Sequence, residues 1–234
     1  MNIDIWSDIM CPFCYIGKRK LEAALDEFEH KDEVKIQWHS FQLDPTVQSQ
    51  TGTDLYSYLA ERKGQTREWS VGVHGQLTNT AAENGLEYHF EKAIVANSFD
   101  AHRLIQLAKK HDLDSAAEEQ LFKSYFTDGK DISNHNTLMQ VGIDIGLRAV
   151  EIGEMLNSDA YAAEVNEDIA MAQQLGIRGV PFFAVNNQYA ISGAQPKEVF
   201  MQTLEHAWNE YAQATIANNM EDGICTPDGV CATK

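Results

Sequence analysis

Apolar and polar positions along this 234-residue chain change period twice, and each change marks a boundary in the expected fold. In residues 2–6 (NIDIW) and 33–41 (EVKIQWHSF) β-branched and aromatic side chains dominate, and in the second stretch Val34, Ile36 and Trp38 alternate with Lys35, Gln37 and His39. A period of two sends successive side chains to opposite faces of a strand, so both segments are expected to be strands, the second with one face in water. Between them Leu21, Ala24, Leu25 and Phe28 recur at helical spacing. Pro12 suits the first helical position, where a missing N–H has no helical partner to lose, and Cys11 then stands at the capping position. The opening segment reads strand, helix, strand, the unit that joins two parallel strands by a crossover.

From residue 45 to 176 helical spacing takes over, in Leu55, Tyr58 and Leu59, in Leu104, Ile105 and Ala108, in Leu121, Phe122, Tyr125 and Phe126, and in Tyr161, Val165, Ile169 and Ala172. Polar turns such as TDGKD and SDA punctuate these runs. Strand character returns in PFFAVN and QYAISG, with Asn186 and Asn187 as a hairpin turn, and Pro196 opens a helix with Phe200, Leu204, Ala207, Trp208 and Tyr211 on one face. The expected organisation is a split α/β domain, residues 1–44 and 177–218, enclosing a helical insertion, residues 45–176, with a polar, turn-rich tail at 219–234.

Composition narrows the function. The 18 Lys and Arg face 35 Asp and Glu, a formal charge of −17 that repels phosphate backbones and anionic headgroups, so neither nucleic acid nor a membrane surface is an expected partner. The N-terminus MNIDIWSDIM has no basic segment followed by an apolar run, and no later stretch has the length of a membrane helix, which predicts a cytoplasmic protein. In a reducing compartment two cysteines separated by two residues point to redox or metal chemistry rather than to a structural disulfide.

Cys11 and Cys14 form that pair, in CPFC. A thiol attacks as its thiolate, and unpaired N–H groups at a helix N-terminus favour the charged form, which assigns the attack to Cys11. Cys14, one turn further in, is placed to expel a mixed disulfide by intramolecular attack. The alternative is half of a zinc site, but Cys225 and Cys231 complete no common zinc spacing, and the eight histidines offer no metal-binding spacing either. No metal is expected, and the absence of a glycine-rich phosphate loop leaves nucleotide cofactors unsupported. In GIRGVPFFAVN the proline precedes a strand, so Val180–Pro181 is a candidate cis bond that would leave the Val180 backbone free to pair with an extended peptide; a trans proline at an edge strand is the ordinary alternative.

Six segments in order, DIMCPFCYIGK, FQLDP, NSFDAHRL, YFTDGKDIS, LGIRGVPFF and ISGAQP, resemble the DsbA-like thioredoxin-fold oxidoreductases, in particular the FrnE-type cytoplasmic branch. The resemblance runs from Ile3 to about Trp208. It implies a thioredoxin-like fold interrupted by an all-helical domain, Cys11 and Cys14 as the redox pair, and Pro181 as a cis proline beside them. Expected partners are proteins or peptides that carry disulfides or thiols, with Val180, Pro181 and Phe13 as binding residues. Phe13 stands where periplasmic DsbA proteins usually carry His, which removes a donor to the thiolate and implies a less oxidising dithiol. The kappa-class glutathione transferases and 2-hydroxychromene-2-carboxylate isomerases, relatives of the same fold, typically place Ser at the position of Cys11, so a glutathione-dependent isomerase or transferase is the alternative function and glutathione the alternative partner.

Other residues carry less. Asp8 is suited either to accept a proton near the pair or, more ordinarily, to bind turn backbone. Trp6, Phe13 and Tyr15 are candidates for an apolar contact surface, with Phe13 the best placed. His39, His74, His89 and His102 are expected in surface or packed roles, and Asn97, His102 and Arg103 of NSFDAHRL are given no catalytic one. In the tail, ICTPDGVCATK brings Cys225 and Cys231 across a tight turn, either as an auxiliary redox pair or as incidental thiols.

Overall fold

The structure is a computed structural model that describes residues 1–49 and 52–221, with side chains described as far as residue 213. Four strands, β1 (Asn2–Ser7), β2 (Lys35–Ser40), β3 (Phe182–Val185) and β4 (Tyr189–Ser192), form one sheet in the order β2-β1-β3-β4. β1 runs parallel to β2, with Ile3 opposite Ile36 and Ile5 opposite Trp38, and antiparallel to β3, with Ile5 opposite Phe183. The β1–β2 crossover is α1 (Pro12–Glu27), and β3 turns into β4 through Asn186 and Asn187, both at positive φ, as a tight hairpin requires.

Among the described residues seven α-helices lie between β2 and β3: α2 (Leu55–Lys63), α3 (Arg67–Glu83), α4 (Phe99–Lys109), α5 (Asp114–Phe122), α6 (His135–Asp144), α7 (Ala149–Leu156) and α8 (Ala162–Gln174). The apolar run of residues 121–126 does not stay α-helical: after α5 the backbone widens into a π-helical turn at Lys123–Thr127. The last helix, α9 (Lys197–Glu221), buries Phe200, Leu204 and Ala207, but Tyr211 is exposed, so the expected apolar face is shorter than its pattern.

The period of two divides the sheet. Ile3, Ile5, Phe183, Val185 and Ile191 join the main core with Ile16 of α1 and Phe200 and Leu204 of α9. Trp6, Phe182 and Ala184 face the other way and pack with Ala172 of α8. That second face corrects one expectation. Lys35 and Gln37 are in water, but His39 is buried, because α8 covers the end of β2 and brings Asp168 to its ring. Among the described residues no helix is long and apolar enough to cross a membrane.

Candidate active site

β1 ends at Ser7, and the chain turns through Asp8, Ile9 and Met10 into α1. The Cys11 N–H donates to the carbonyl of Asp8 at 2.9 Å, and the Cys14 N–H to that of Cys11 at 3.0 Å. Asp8 binds loop backbone, the more ordinary of its two expected roles: its carboxylate accepts from the Met10 N–H at 3.2 Å and the Leu43 N–H at 2.7 Å. Its Oδ1 also lies 3.5 Å from Nε2 of the buried His102. Cys11 caps α1 in an extended conformation with Pro12 as the first helical residue, and its sulfur makes no capping hydrogen bond to the first turn, at the positive end of the helix.

Both cysteines are free thiols, and both are enclosed, Cys11 at 4% exposure and Cys14 at 1%. The Cys11 thiol donates to the Val180 carbonyl at 3.4 Å, across 169 residues of sequence. The Val180–Pro181 bond is cis. Gly17 of α1 lies under this segment; a Cβ there would stand 3.0 Å from Pro181 Cγ, so a larger residue would have to push the helix and the proline slightly apart. The helical region also reaches the pair, with the Tyr88 hydroxyl donating to the Pro12 carbonyl at 2.7 Å. Of the three aromatics near the pair, Phe13 is 48% exposed, while Trp6 and Tyr15 are core residues. Tyr15 stacks on Phe122, and Trp6 stacks on His39 at a ring separation of 4.5 Å.

Burial drives the Cys14 pKa well above its usual value, and the adjacent Cys11 side chain adds to the rise. The nearby Asp8 backbone and Ser7 hydroxyl act in the opposite sense. Ser7 was not among the expected site residues, nor was its partner, Glu118. The Ser7 hydroxyl donates to Glu118 Oε2 at 3.4 Å, and burial raises the Glu118 carboxyl to about 8 against the favourable charge of Lys18. The neighbouring Glu119 behaves oppositely. Partial burial opposes its ionisation, but Arg19, Lys18 and Tyr15 hold it at about 2. One sequence signal marks Glu118: it lies three, four and seven positions before Leu121, Phe122 and Tyr125, on the apolar stripe that turns inward.

Among the described residues no cluster of three His, Cys, Asp or Glu side chains is placed to hold a metal. Cys225 and Cys231 lie outside the described residues. Two free thiols one helical turn apart, the outer at a helix N-terminus and the inner enclosed, suit exchange between dithiol and disulfide.

Comparison with known proteins agrees with this geometry. The DSBA-like thioredoxin domain family matches residues 2–205, and the chain belongs to that family of thiol oxidoreductases. The crystal structure of a probable DsbA oxidoreductase from Streptomyces coelicolor is similar at 34% identity, with a TM-score of 0.85 over 100% of this chain and 99% of that one. A cytosolic disulfide reductase from Pseudomonas aeruginosa, DsbM, solved with glutathione, shares the fold at 18% identity and a TM-score of 0.58, over 89% of this chain and 100% of that one. An uncharacterized protein of Bacillus subtilis (strain 168), YwbO, is 23% identical over 208 residues, 87% of this chain and 96% of the relative.

Proposed function

We infer that this protein is a thiol–disulfide oxidoreductase that acts on protein or peptide disulfides through a Cys11–Cys14 dithiol/disulfide cycle. The observation that carries the reading is the meeting, at the N-terminus of α1, of the Cys11 sulfur with the Val180 carbonyl, while Cys14 is enclosed behind it. Cys11 as thiolate attacks one sulfur of a substrate disulfide; the substrate S–S bond breaks, one substrate thiolate leaves, and a mixed disulfide remains on Cys11. Cys14, once deprotonated, attacks Cys11 Sγ and releases the second substrate thiolate, which leaves the substrate reduced and the protein pair oxidised. The same steps in reverse oxidise a substrate dithiol, and an external dithiol or disulfide of matching potential resets the pair.

In this reading Val180 and Pro181 align the substrate backbone against Cys11, and the exposed ring of Phe13 offers apolar contact beside it. Residues 1–44 and 177–218 form the catalytic thioredoxin-like domain, and residues 45–176 the helical insertion that covers it. The FrnE-type resemblance, the acidic charge and the similarity in fold to a cytosolic reductase support placement in the cytoplasm, with protein or peptide thiols and disulfides as partners.

The test is reduction of insulin with dithiothreitol as the only donor, run on the parent, Cys11→Ser and Cys225→Ser/Cys231→Ser. Turnover in the parent that vanishes in Cys11→Ser is the expected result, and the tail variant shows whether Cys225 and Cys231 exchange with the pair. Turnover that requires glutathione, or none at all with dithiothreitol, would shift the assignment to a glutathione-dependent isomerase or transferase.

A further inference from the structure

The first turn of α1 offers a Cys11 thiolate few donors. Pro12 has no N–H, the Cys14 N–H is bonded to the Cys11 carbonyl at 3.0 Å, and the N–H of Cys11 itself to the Asp8 carbonyl at 2.9 Å. That leaves the Phe13 N–H, at the second helical position, where a capping side chain ordinarily finds its bond. The thiol turns the other way and donates to the Val180 carbonyl, which it can no longer do once its proton is lost. The Phe13 N–H and the Pro12 carbonyl are two ends of one peptide group, and it is this carbonyl that accepts from the Tyr88 hydroxyl at 2.7 Å. Among the described residues Tyr88 alone donates from a side chain to a backbone carbonyl of Cys11–Cys14.

Packing fixes Tyr88 in place. Its side chain is enclosed, stacked on Phe126 at a ring separation of 4.6 Å and on Tyr15 at 6.2 Å. The residues on either side of it are pinned to the π-helical turn: the Thr127 hydroxyl donates to the Glu87 carbonyl at 2.7 Å, and the His89 N–H donates to the Phe126 carbonyl at 2.7 Å. The widened turn thereby sets the hydroxyl on the redox loop. Burial pushes the Tyr88 hydroxyl above its usual range and the adjacent Cys11 adds to the rise, so it stays a donor when the thiol ionises. Charged groups around the junction have partners of their own. Lys18 and Arg19 pair with Glu22 and Glu119, His89 with Glu87 and Glu91, and Asp8 holds the Met10 and Leu43 N–H groups.

We propose that Tyr88, supplied by the helical region, is a positioning residue for the redox pair: its hydroxyl polarises the Pro12–Phe13 peptide and strengthens the N–H that receives the Cys11 thiolate. This rests on the dithiol reading of Cys11 and Cys14. A hydrogen bond accepted by a peptide carbonyl draws electron density from the peptide nitrogen and makes its N–H a stronger donor, by roughly 10–30%. For a bond to a charged acceptor that amounts to roughly a two- to fourfold change in the thiolate population. The thiolate exists only in the reduced pair, so a group that stabilises it favours the dithiol and makes the disulfide a stronger oxidant.

The experiment compares the parent, Tyr88→Phe and a protein with 3-fluorotyrosine in place of Tyr88, all carrying Cys225→Ser/Cys231→Ser so that a single cysteine pair reports. Tyr88→Phe keeps the ring and removes the donor, whereas the fluorinated phenol is more acidic and donates more strongly. The rate of alkylation by iodoacetamide, followed from about pH 4 to 10, reports the Cys11 thiolate. Glutathione redox buffers, at a pH where Cys11 is ionised in all three proteins, give the balance of dithiol and disulfide. In Tyr88→Phe the inflection of the alkylation rate should rise by roughly 0.3–0.6 pH unit, and the balance should move roughly two- to fourfold toward the protein disulfide. The 3-fluorotyrosine protein should move both in the opposite direction. Parent values in Tyr88→Phe, or shifts of the same sign in both proteins, as a change of packing would give, would overturn the assignment. If Tyr88→Phe does not fold, the direction of the 3-fluorotyrosine shift decides. Alkylation that survives Cys11→Ser, or a parent that forms no disulfide in the buffers, would instead overturn the dithiol reading.

Discussion

The Arg103 guanidinium ties α4 to the turn between α7 and α8, and removing it tests how the helical region is held together. Its Nε donates to the Ala160 carbonyl at 2.8 Å, Nη1 donates to Asp100 Oδ1 at 2.7 Å, and Nη2 donates to the carbonyls of Met155 and Ser158. The side chain is 7% exposed, so these bonds form where water competes poorly. Arg103→Met keeps much of the apolar stem and removes every donor. Hydrogen bonds to a charged group contribute about 1.5–3 kcal/mol each, but four of them do not add. Ser158 and Ala160 are exposed, so water can reach their carbonyls, and the Met155 carbonyl keeps the Ser158 N–H. Asp100 retains His135 at 3.5 Å. The remaining loss should be about 2–4 kcal/mol, which for a chain of this size lowers Tm by roughly 4–16 °C. Arg103→Lys, a point charge that cannot serve four acceptors spread over a fork, should lose about half as much. Urea and thermal unfolding of the three proteins give the values. A loss below about 0.5 kcal/mol for Arg103→Met would refute the assignment of the α4–α7–α8 junction to this guanidinium.

Gly17→Ala gains about 1 kcal/mol of helix propensity, but its Cβ would meet Pro181 Cγ at 3.0 Å and Phe183 Cζ at 3.2 Å. Both atoms belong to rings, and Phe183 is locked against Phe200, so overpacking of about 1–3 kcal/mol should outweigh that gain; unfolding should show net destabilisation, and an equal or higher Tm would contradict the tight approach of α1 to Pro181. His39 makes stability depend on pH: burial lowers its pKa, but hydrogen bonds to Asp168 at 2.7 Å and Asp4 at 2.9 Å more than reverse this, leaving it raised. A raised histidine stabilises fully below its unfolded value of about 6.5 and loses that contribution as pH rises through the folded value. The stability advantage of the parent over His39→Gln, measured by urea unfolding from pH 5 to 9, should therefore be largest at the acid end and shrink with rising pH; an advantage that is flat or grows would reject the charged His39 bridge.

The amino-acid sequence by itself determined the local elements. Strand, helix and strand at the start, the Asn186–Asn187 hairpin, and Cys11 at the cap of a helix opened by Pro12 all follow from side-chain period and backbone preference within a few residues, and such signals survive whatever the rest of the chain does. Not every helix was legible. The apolar repeats read from the sequence reach none of α3, α6 and α7, and the π-helical widening at Lys123–Thr127 has no counterpart in the residue pattern. Tertiary structure alone decided which distant groups meet. It set Val180 against Cys11, covered His39 with Asp168 of α8 where alternation predicts water, and turned Glu118 inward to Ser7 while Glu119, one position on, faces the Arg19 and Lys18 cations. The physical reason is that burial and long-range contact, not residue type, fix whether a carboxyl keeps its proton or its charge: two adjacent glutamates on one helix point about 100° apart, and only the elements packed around them give one a pKa of about 8 and the other about 2.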